Sequence, residues 1–175
     1  MNKMKIGLTR DLLTPDGKPS FGIGPLEILD SHPGIDWSYL PDPVSEITPD
    51  IAAGYDGLYV NSPLVSEASV AREDCRLKIV SRHGVGFDSV DVAALNTRGI
   101  VVTNTPMAIR RPVAVAALTM IFALAGRLVQ KDRLLRAGLW NDRTAHMGLG
   151  LTTRKLGIVG AGGIGQELMR VAAPF

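Results

Sequence analysis

Short apolar segments alternate with segments of helical pattern over the first hundred residues of the chain. The apolar segments predict strands at 5–9, 35–40, 57–61, 77–81 and 99–103. Helices or helical turns are predicted between them at 24–31, 49–53, 66–74 (with Ser66 as N-cap) and 90–98 (capped by Asp88 or Ser89). This alternation predicts a parallel sheet with helices on its faces, so the first hundred residues are expected to form one small α/β domain.

The next apolar segment is longer and has almost no polar side. Residues 112–130 are predicted to form one helix, with Pro112 in its first turn, where the missing N–H has no partner to lose. A helix that is apolar all round must be covered on every side. We therefore expect it to serve as the spine between two domains and as a subunit interface. A polar helix at 131–140 and an extended arm at 141–153 are expected to follow.

A glycine-rich segment near the C-terminus carries the clearest chemical pattern. Residues 155–159 predict a buried strand, and residues 166–173 predict a helix that is stopped by Pro174. Between them, residues 160–165 fit the pattern G-x-G-x-x-G. The pattern is weak alone, but between a strand and a helix it indicates a dinucleotide-binding turn. The alternative is a glycine-rich turn that binds no ligand.

Each glycine of this pattern has a physical role in binding a diphosphate. Gly160 permits the tight turn, Gly162 lets the backbone approach the phosphates, and Gly165 lets the helix pack closely. The amides of Gly163 and Ile164 are expected to point at the phosphates, helped by the positive end of the helix dipole. This interpretation requires a strand that leads into the loop and no side chain in the place of the phosphates.

Composition narrows the classes of function. Hydrophobic residues make up 46% of the 175 residues and charged residues 21%, which is typical of a soluble globular protein. The net charge is only +2, and the pair Arg110–Arg111 is too short for a phosphate-tracking stripe, so no nucleic-acid partner is expected. The lone Cys75 cannot form an internal disulfide, and no metal-ligand pattern accompanies it. No metal is therefore expected.

The sequence predicts neither a leader nor a membrane span. The first ten residues lack an apolar stretch of useful length. The longest apolar run, 112–126, is shorter than the ~18 residues that suggest a span. The expected location is therefore the cytoplasm, with no membrane partner.

Four segments resemble the D-isomer-specific 2-hydroxyacid dehydrogenases, a family that includes glyoxylate/hydroxypyruvate reductases and phosphoglycerate dehydrogenases. Residues 82–91 resemble the family's substrate loop, and residues 98–106 resemble its crossover into the cofactor domain. Residues 136–140 resemble the arm after the long helix, and the segment from 156 onward resembles the cofactor fingerprint. The four segments occur in the family's order.

The resemblance implies both a fold and a reaction. The expected fold class is α/β: a small flavodoxin-like parallel-sheet substrate domain over 1–103, then the incomplete start of a Rossmann dinucleotide-binding domain over 104–175, which includes the helix 112–130. The implied reaction is hydride transfer between NAD or NADP and a small 2-keto or 2-hydroxy acid, in a cleft between the domains. A homodimer is the expected assembly.

The family's site residues can be carried over by position. The amides of Val85 and Gly86, beside Gly84, would hold the substrate carboxylate, since an anion needs such donors. The alternative for this loop is a plain strand-to-helix turn. Asn61 is expected to line the cleft, whereas His83 is expected to be structural rather than catalytic. The implied cofactor-binding residues are Gly160, Gly162, Gly163, Ile164 and Gly165.

The chain also departs from the family's pattern. The family commonly has a Glu-His pair early in the long helix, where this chain has Val115 and Ala116. The family's catalytic Arg, Glu and His follow the fingerprint, as does the acidic residue that binds the ribose, about 20 residues beyond the glycines. We therefore expect an N-terminal half that is inactive alone, with the catalytic residues after Phe175 and the choice between NAD and NADP left open.

Two other functions stay open on the same scaffold. One is a nucleotide-sensing protein without catalysis, since corepressors that resemble this family use the scaffold for protein interactions. The other takes the 175 residues as complete, which would make a catalytically dead dimerisation partner that binds nucleotide weakly. An unbroken catalytic set downstream would exclude the first of these alternatives, and tight binding of NADH by the 175 residues alone would exclude the second.

Overall fold

The computed structural model describes residues 3–175. The chain divides into two compact units, Met1–Pro106 and Met107–Phe175. The strands, all in the first unit, are β1 (Met4–Leu8), β2 (Ile35–Tyr39), β3 (Gly57–Val60), β4 (Ile79–Arg82) and β5 (Val101–Thr103). The helices of the first unit are α1 (Gly24–Asp30), α2 (Pro49–Gly54) and α3 (Val92–Thr97). Those of the second unit are α4 (Arg110–Ala125), α5 (Leu128–Arg136) and α6 (Gly163–Ala172).

The strands form one parallel sheet in the order β2-β1-β3-β4-β5. The predicted parallel sheet is confirmed, and this order is the flavodoxin-like one. β1 connects to β2 on one side of the sheet's centre, whereas β3 connects to β4 on the other side. Ligands bind beyond the carboxyl ends of the strands at such a switch point. The loops after β1, β3 and β4 are therefore the place to look for a site in this unit.

The core of the first unit joins the central strands to α2 and α3. β3 is apolar and nearly all buried, as expected of a central parallel strand. The side chains that meet there are each at most 1% exposed: Ala52, Leu58, Val60, Val80 and Leu95. This packing fixes the positions of the strands whose carboxyl ends carry the candidate site.

A buried carboxylate ties the start of β3 to its neighbours. The carboxylate of Asp56 accepts a hydrogen bond from the amide of Lys5 at 2.8 Å. Each of its two oxygens also accepts a hydrogen bond from Nη2 of Arg76 at 3.0 Å. The Lys5 amide is the main cause that holds the pKa of Asp56 below its ordinary value, with burial opposing and Arg76 assisting. A carboxylate with a lowered folded-state pKa stabilises the fold above its unfolded pKa, and that stabilisation is lost as the pH falls through the folded pKa.

Replacing Asp56 with asparagine is expected to lower the free energy of unfolding at pH 7 by about 1–3 kcal/mol, because Lys5 and Arg76 lose a charged acceptor. The difference from wild type should begin to shrink as the pH falls below about 3.9, where the unfolded carboxyl takes up its proton, and should be lost once the pH falls through the lower folded pKa. Urea unfolding at a series of pH values measures this. Asp50→Asn, at a carboxylate whose side chain is 86% exposed, is the matched control. If Asp50→Asn lowered the free energy of unfolding as much as Asp56→Asn, the stabilising role of the buried Asp56 carboxylate would be contradicted.

The predicted helix 66–74 is wrong, because only a 3₁₀ turn forms there, Ala68–Val70. The amide of Ser66 donates to the hydroxyl of Ser69 at 2.9 Å, and such side-chain bonds compete with the helical ladder. Beyond the turn, two backbone carbonyls accept hydrogen bonds from the guanidinium of Arg98. The helical pattern of the sequence is therefore overridden by local and tertiary hydrogen bonds.

Helix α3 begins later than the predicted helix 90–98, and its cap is different. Val90 is buried and forms an isolated parallel bridge with Val65, so its backbone is extended. The N-cap is Asp91, whose carboxylate accepts the amide of Ala94 at 2.9 Å. The predicted caps, Asp88 and Ser89, are therefore wrong.

The predicted single helix 112–130 is wrong as well, since it is broken into α4 and α5. Arg127 lies at the break with a φ of 51°, in the left-handed region. The carbonyl of Ala125 accepts the amide of Leu149 at 2.7 Å, so the arm that follows α5 satisfies the end of α4. Within residues 3–175, no single helix is long and apolar enough to cross a membrane. α4 and α5 reach that length only together, with a 57° bend between them.

The segment before the glycine-rich loop is not a strand. Residues 155–159 have no ladder partner in the described part of the chain, and the side chain of Val159 is fully exposed. A strand needs a neighbour for its amides and carbonyls, and an apolar parallel strand needs one on each side. The predicted strand is therefore wrong for these residues. The arm predicted as extended over 141–153 also differs, because it includes most of a 3₁₀ helix, Trp140–His146.

Candidate functional site

In the first unit, the loops after β1 and β3 meet at the switch point. Asp11 accepts the amide of Ser62 at 2.8 Å and the carboxamide of Asn61 at 3.1 Å. The amide of Asn61 donates to the buried hydroxyl of Thr9 at 3.2 Å. Burial raises the pKa of Asp11, but the hydrogen bonds from Thr9, Ser62 and Asn61 outweigh it and hold that pKa below its ordinary value. Asn61 is therefore held in place beside a carboxylate that is ionised at neutral pH.

The loop after β4 begins next to Asn61, because the amide of His83 donates to the carbonyl of Val60 at 2.7 Å. Gly84 has a φ of +112°, which strongly favours glycine. Its amide donates to the hydroxyl of Thr105 at 3.0 Å, and its carbonyl accepts the amide of Thr105 at 2.8 Å. The loop is thus anchored at its start to the segment that follows β5.

The two amides predicted to hold a carboxylate are available in this loop. The carbonyl of Val85 accepts Nδ2 of Asn104 at 2.8 Å, which fixes the peptide that joins Val85 to Gly86. The amides of these two residues donate to no other group within residues 3–175. Val85 is 39% exposed. The arrangement leaves two backbone donors without an acceptor in the described residues, as anion binding requires.

His83 has partners that the sequence did not reveal. Its Nδ1 lies 2.5 Å from the hydroxyl of Tyr59, and its ring centroid lies 4.4 Å from that of Phe21. Burial lowers the pKa of His83, the charge of Arg82 lowers it further, and Asp11 opposes both; burial also raises the pKa of Tyr59. The Tyr59 hydroxyl and Nδ1 of His83 therefore share a hydrogen bond between two uncharged groups, in which the hydroxyl donates when the ring proton is on Nε2. The expected structural role of His83 stays a prediction.

Replacing Tyr59 with phenylalanine is expected to raise the pKa of His83 toward its ordinary value. With the ring proton on Nε2, the hydroxyl donates to the neutral imidazole alone, so its removal penalises only the neutral form. NMR titration of the ring protons measures this pKa. Tyr39→Phe, at another half-buried tyrosine, is the control and should leave it unchanged. An unchanged or lower pKa in Tyr59→Phe would contradict the hydrogen-bond direction.

Arg82 adds positive charge beneath the same loop. Its guanidinium donates to the carbonyl of His83, and its Nε is buried with no hydrogen-bond partner within the described residues. A Cβ on Gly84 would overlap its Nη1. Sequence patterns did not single out Arg82, because a charged residue at the end of a strand is usually solvated. Its proximity makes the loop more favourable for an anion.

In the second unit, the glycine-rich loop leads into α6. Gly160 has a φ of +91°, and a Cβ on Gly165 would overlap the carbonyl oxygen of Gly160. A Cβ on Gly162, the N-cap of α6, would meet nothing within 4 Å. The first intrahelical bond is made by Gln166, whose amide donates to the carbonyl of Gly162 at 2.9 Å, so the preceding amides of the first turn have no intrahelical acceptor.

This loop meets one of the two requirements set by the sequence, because its glycines leave space beside the helix start, but the other is not met, since no strand leads into the loop. Gly160 makes a turn with a positive φ, and Gly165 lies so close to the carbonyl of Gly160 that only glycine fits there. The open space at Gly162 and the free amides of Gly163 and Ile164 suit an anion at a helix start. The helix begins at Gly163 rather than at the predicted residue 166, so these two amides belong to its first turn.

The comparison with family models decides the family. Residues 25–160 match the model described as D-isomer specific 2-hydroxyacid dehydrogenase, catalytic domain. The chain belongs to this family. The match covers the anchored loop after β4, α4 and the first glycine of the fingerprint.

Individual proteins that are similar to this chain have names that agree with this family. The chain is 38% identical over 106 residues to a glyoxylate reductase of Thermococcus litoralis, covering 57% of this chain and 32% of that protein. It is 38% identical over 120 residues to a D-3-phosphoglycerate dehydrogenase of Mycobacterium leprae, covering 69% and 22%. A solved structure from Polaromonas sp. JS6 66, described as a D-isomer specific 2-hydroxyacid dehydrogenase, NAD-binding, superposes with a TM-score of 0.78 at 27% identity, covering 98% of this chain and 52% of that one. The chain thus spans about a third or less of these curated relatives.

The start of α4 differs from the pattern expected for this family of dehydrogenases. Val115 is 44% exposed and Ala116 is also exposed, so neither offers the polar group that a Glu-His pair would supply. Instead, two arginines stand in the first turn. Nη1 of Arg111 lies 3.0 Å from Oε1 of Glu167 in α6, and Arg110 lies beside Gly163. Sequence reasoning missed these contacts because it weighed the pair only as a nucleic-acid signal.

Proposed function

We propose that the full-length protein is an NAD(P)-dependent oxidoreductase that transfers a hydride between NAD(P)H and a small 2-keto or 2-hydroxy acid, of glyoxylate or hydroxypyruvate type. The observation that carries the proposal is the glycine-rich loop, whose tight turn at Gly160 and open N-terminus at α6 suit a diphosphate. Relatives named glyoxylate reductase and D-3-phosphoglycerate dehydrogenase support the reaction class.

In this proposal the two ligands bind to different parts of the chain. Residues 1–103 form the substrate domain and residues 104–175 begin the cofactor domain. The cofactor, NAD or NADP, is bound by Gly160, Gly162, Gly163, Ile164 and Gly165. The bound dinucleotide supplies or accepts the hydride.

The substrate carboxylate binds to the amides of Val85 and Gly86, with Gly84 shaping the loop and Asn61 beside it. Two donors in successive peptides, each held by a hydrogen bond to its carbonyl, orient the acid without any rearrangement, and Arg82 favours its negative charge. The amide of Gly84 is already used by Thr105, so Gly84 acts through the loop's shape. Asn61 is held by Asp11 and therefore has a fixed orientation.

The 175 residues alone are proposed to be inactive, because the Arg, Glu and His expected to bind the carboxylate and move the proton lie outside them. The test is a steady-state assay of the full-length protein with NADH and NADPH against glyoxylate, hydroxypyruvate and pyruvate. Turnover with at least one acid is expected. No turnover, combined with binding of dinucleotide, would favour the alternative of a nucleotide-sensing protein. If the full-length protein showed no turnover and bound no dinucleotide, the proposed function would be refuted.

Apolar side chains on the first helix of the second unit support a homodimer. Val113, Met120 and Leu124 of α4 are 37%, 60% and 79% exposed within this chain. Such side chains are usually covered in an assembly. Light scattering after size-exclusion chromatography of the full-length protein is expected to give twice the mass of one chain, and a monomer at micromolar concentration would contradict this part of the proposal.

A further inference from the structure

The side chain of Asn61, at the end of β3, has both of its donor hydrogens in use. Its Nδ2 donates to Oδ2 of Asp11 at 3.1 Å and to the hydroxyl of Ser62 at 3.3 Å. A carboxamide nitrogen has only two hydrogens to donate. Its Oδ1 accepts no hydrogen bond from any group within residues 3–175. The acceptor of Asn61 is therefore the atom that remains for a bound molecule.

The neighbouring carboxylate excludes the opposite orientation of this carboxamide. Burial raises the pKa of Asp11, but its hydrogen bonds outweigh burial and lower it, so the group is ionised at neutral pH and can only accept. It already accepts the amide of Ser62 at 2.8 Å. If the oxygen of Asn61 were turned toward Asp11, two acceptors would face each other.

Asn61 lies beside the start of the loop that is proposed to hold the substrate carboxylate. Val60 is paired with Arg82 in the parallel ladder, and its carbonyl accepts the amide of His83 at 2.7 Å. Asn61 and His83 are thus the next residues of two adjacent strands, which lie about 4.8 Å apart in a sheet. The two proposed carboxylate donors follow within three residues of His83. The acceptor and the carboxylate loop therefore lie side by side at the carboxyl end of the sheet.

The charges on the two sides of this region have opposite signs. Arg82 lies beneath the carboxylate loop, where its guanidinium donates to the carbonyl of His83. Asp11 lies on the side of Asn61. Burial and the charge of Arg82 lower the pKa of His83, whereas the charge of Asp11 raises it, so the field of Asp11 extends to the loop. An anionic group is thus favoured at the loop and disfavoured beside Asn61.

We propose that Asn61 selects 2-keto acids with an uncharged hydroxyl on the carbon next to the keto group, and that its Oδ1 accepts the hydrogen bond of this hydroxyl. Asp11 is a positioning residue, which acts by fixing the orientation of the Asn61 carboxamide. The inference rests on the proposed function, which makes a 2-keto acid the ligand of the loop. It narrows that class to acids of the hydroxypyruvate type and disfavours acids with a second anionic group, such as a phosphate.

The first test compares three acids in steady-state assays of the full-length protein with NADH and NADPH. Hydroxypyruvate, pyruvate and 3-phosphohydroxypyruvate differ only in the group on the third carbon. The KM of wild type for hydroxypyruvate is expected to be about tenfold below the KM for each of the other two, as for one hydrogen bond. Equal KM values for hydroxypyruvate and pyruvate, or the lowest KM for the phosphorylated acid, would overturn this inference alone. No turnover with any 2-keto acid would overturn the proposed function as well.

Variants separate the acceptor from a general effect on the site. Because the hydroxyl also changes the reactivity of the keto group, each variant is judged by its ratio of kcat/KM for hydroxypyruvate to kcat/KM for pyruvate. Asn61→Leu keeps the approximate size of the side chain but removes the acceptor, so this ratio should fall about tenfold, mainly through a higher KM for hydroxypyruvate. Asp11→Asn offers a donor as well as an acceptor, so both orientations of Asn61 become possible and the ratio should fall severalfold. Asp16→Asn, an exposed residue of the same loop, carries the same change and should keep the wild-type ratio.

Each variant tests one part of the inference. An unchanged ratio in Asn61→Leu would overturn the role of Asn61 as the acceptor. A lower ratio in Asn61→Leu together with an unchanged ratio in Asp11→Asn would overturn the positioning role of Asp11. If thermal unfolding shows that Asp11→Asn does not fold, the comparison of the three acids in wild type and the ratio in Asn61→Leu still decide whether Asn61 selects the hydroxyl.

Discussion

Replacing Gly162 with alanine is expected to weaken the binding of NADH and NADPH by about a hundredfold, as for loss of two charge-assisted hydrogen bonds. The thermal stability of the protein should stay within about 0.5 kcal/mol of wild type, as for a substitution that strains nothing. The reason is geometric, since a Cβ at this N-cap position meets no protein atom within 4 Å. The methyl group instead enters open space, which in the proposed function is where the diphosphate binds.

Two matched variants separate this effect from damage to the loop. Gly165→Ala places its Cβ on the carbonyl oxygen of Gly160, a backbone atom that cannot move freely, so both binding and stability should fall. Gly157→Ala lies just before the loop, where a Cβ again meets nothing within 4 Å, and should change neither. Isothermal titration and thermal unfolding of the three variants measure both quantities. If Gly162→Ala bound dinucleotide as tightly as Gly157→Ala, the loop would not be the diphosphate site.

The sheet of the first unit could be predicted from the sequence because its signals are local. Each strand is a short apolar segment, and the alternation with helices sets parallel pairing. Leu58 and Val60, for example, are buried in β3 because a central strand must be apolar on both faces. Gly84, by contrast, was singled out only through the resemblance of residues 82–91 to the family's substrate loop, and its φ of +112° is a structural reason for glycine that the sequence did not reveal.

The largest of the features that could not be predicted depend on partners distant in the chain. Residues 155–159 have the composition of a strand, yet a strand forms only beside another one. Arg127 breaks the long helix without a glycine or proline at its own position, in a place where the arm bonds the end of α4. Arg110 reaches Gly163 only because α4 packs on α6. A pattern within one segment contains none of this information.

The second large effect is expected at the other proposed site. Replacing Gly84 with alanine should lower kcat/KM for the preferred 2-keto acid by about a hundredfold, mainly through a higher KM, as for loss of two hydrogen bonds to a carboxylate. The φ of +112° is strained for alanine, and its Cβ would displace the guanidinium of Arg82. Both changes turn the amides of Val85 and Gly86 away from their present orientation. The affinity for NADH should not change.

Gly99→Ala is the control that matches the backbone strain. Gly99 also has a left-handed φ, +69°, but a Cβ there meets nothing within 4 Å and it lies at the end of α3. Both variants should therefore lose about 1–3 kcal/mol of stability, as expected for alanine in this region. Only Gly84→Ala should lose activity.

A milder variant keeps the test informative if Gly84→Ala fails to fold. Thr105→Val removes the hydroxyl that accepts the amide of Gly84 at 3.0 Å, but leaves the glycine and the backbone bond between the two residues. The loop should then loosen rather than reorient, and KM should rise by about tenfold, as for one lost hydrogen bond. The amide of the same keto acid carries no negative charge and depends less on fixed donors. A rise in KM for the acid but not for its amide therefore locates the effect at the carboxylate. Equal KM values for wild type and Thr105→Val with both ligands would place the carboxylate elsewhere.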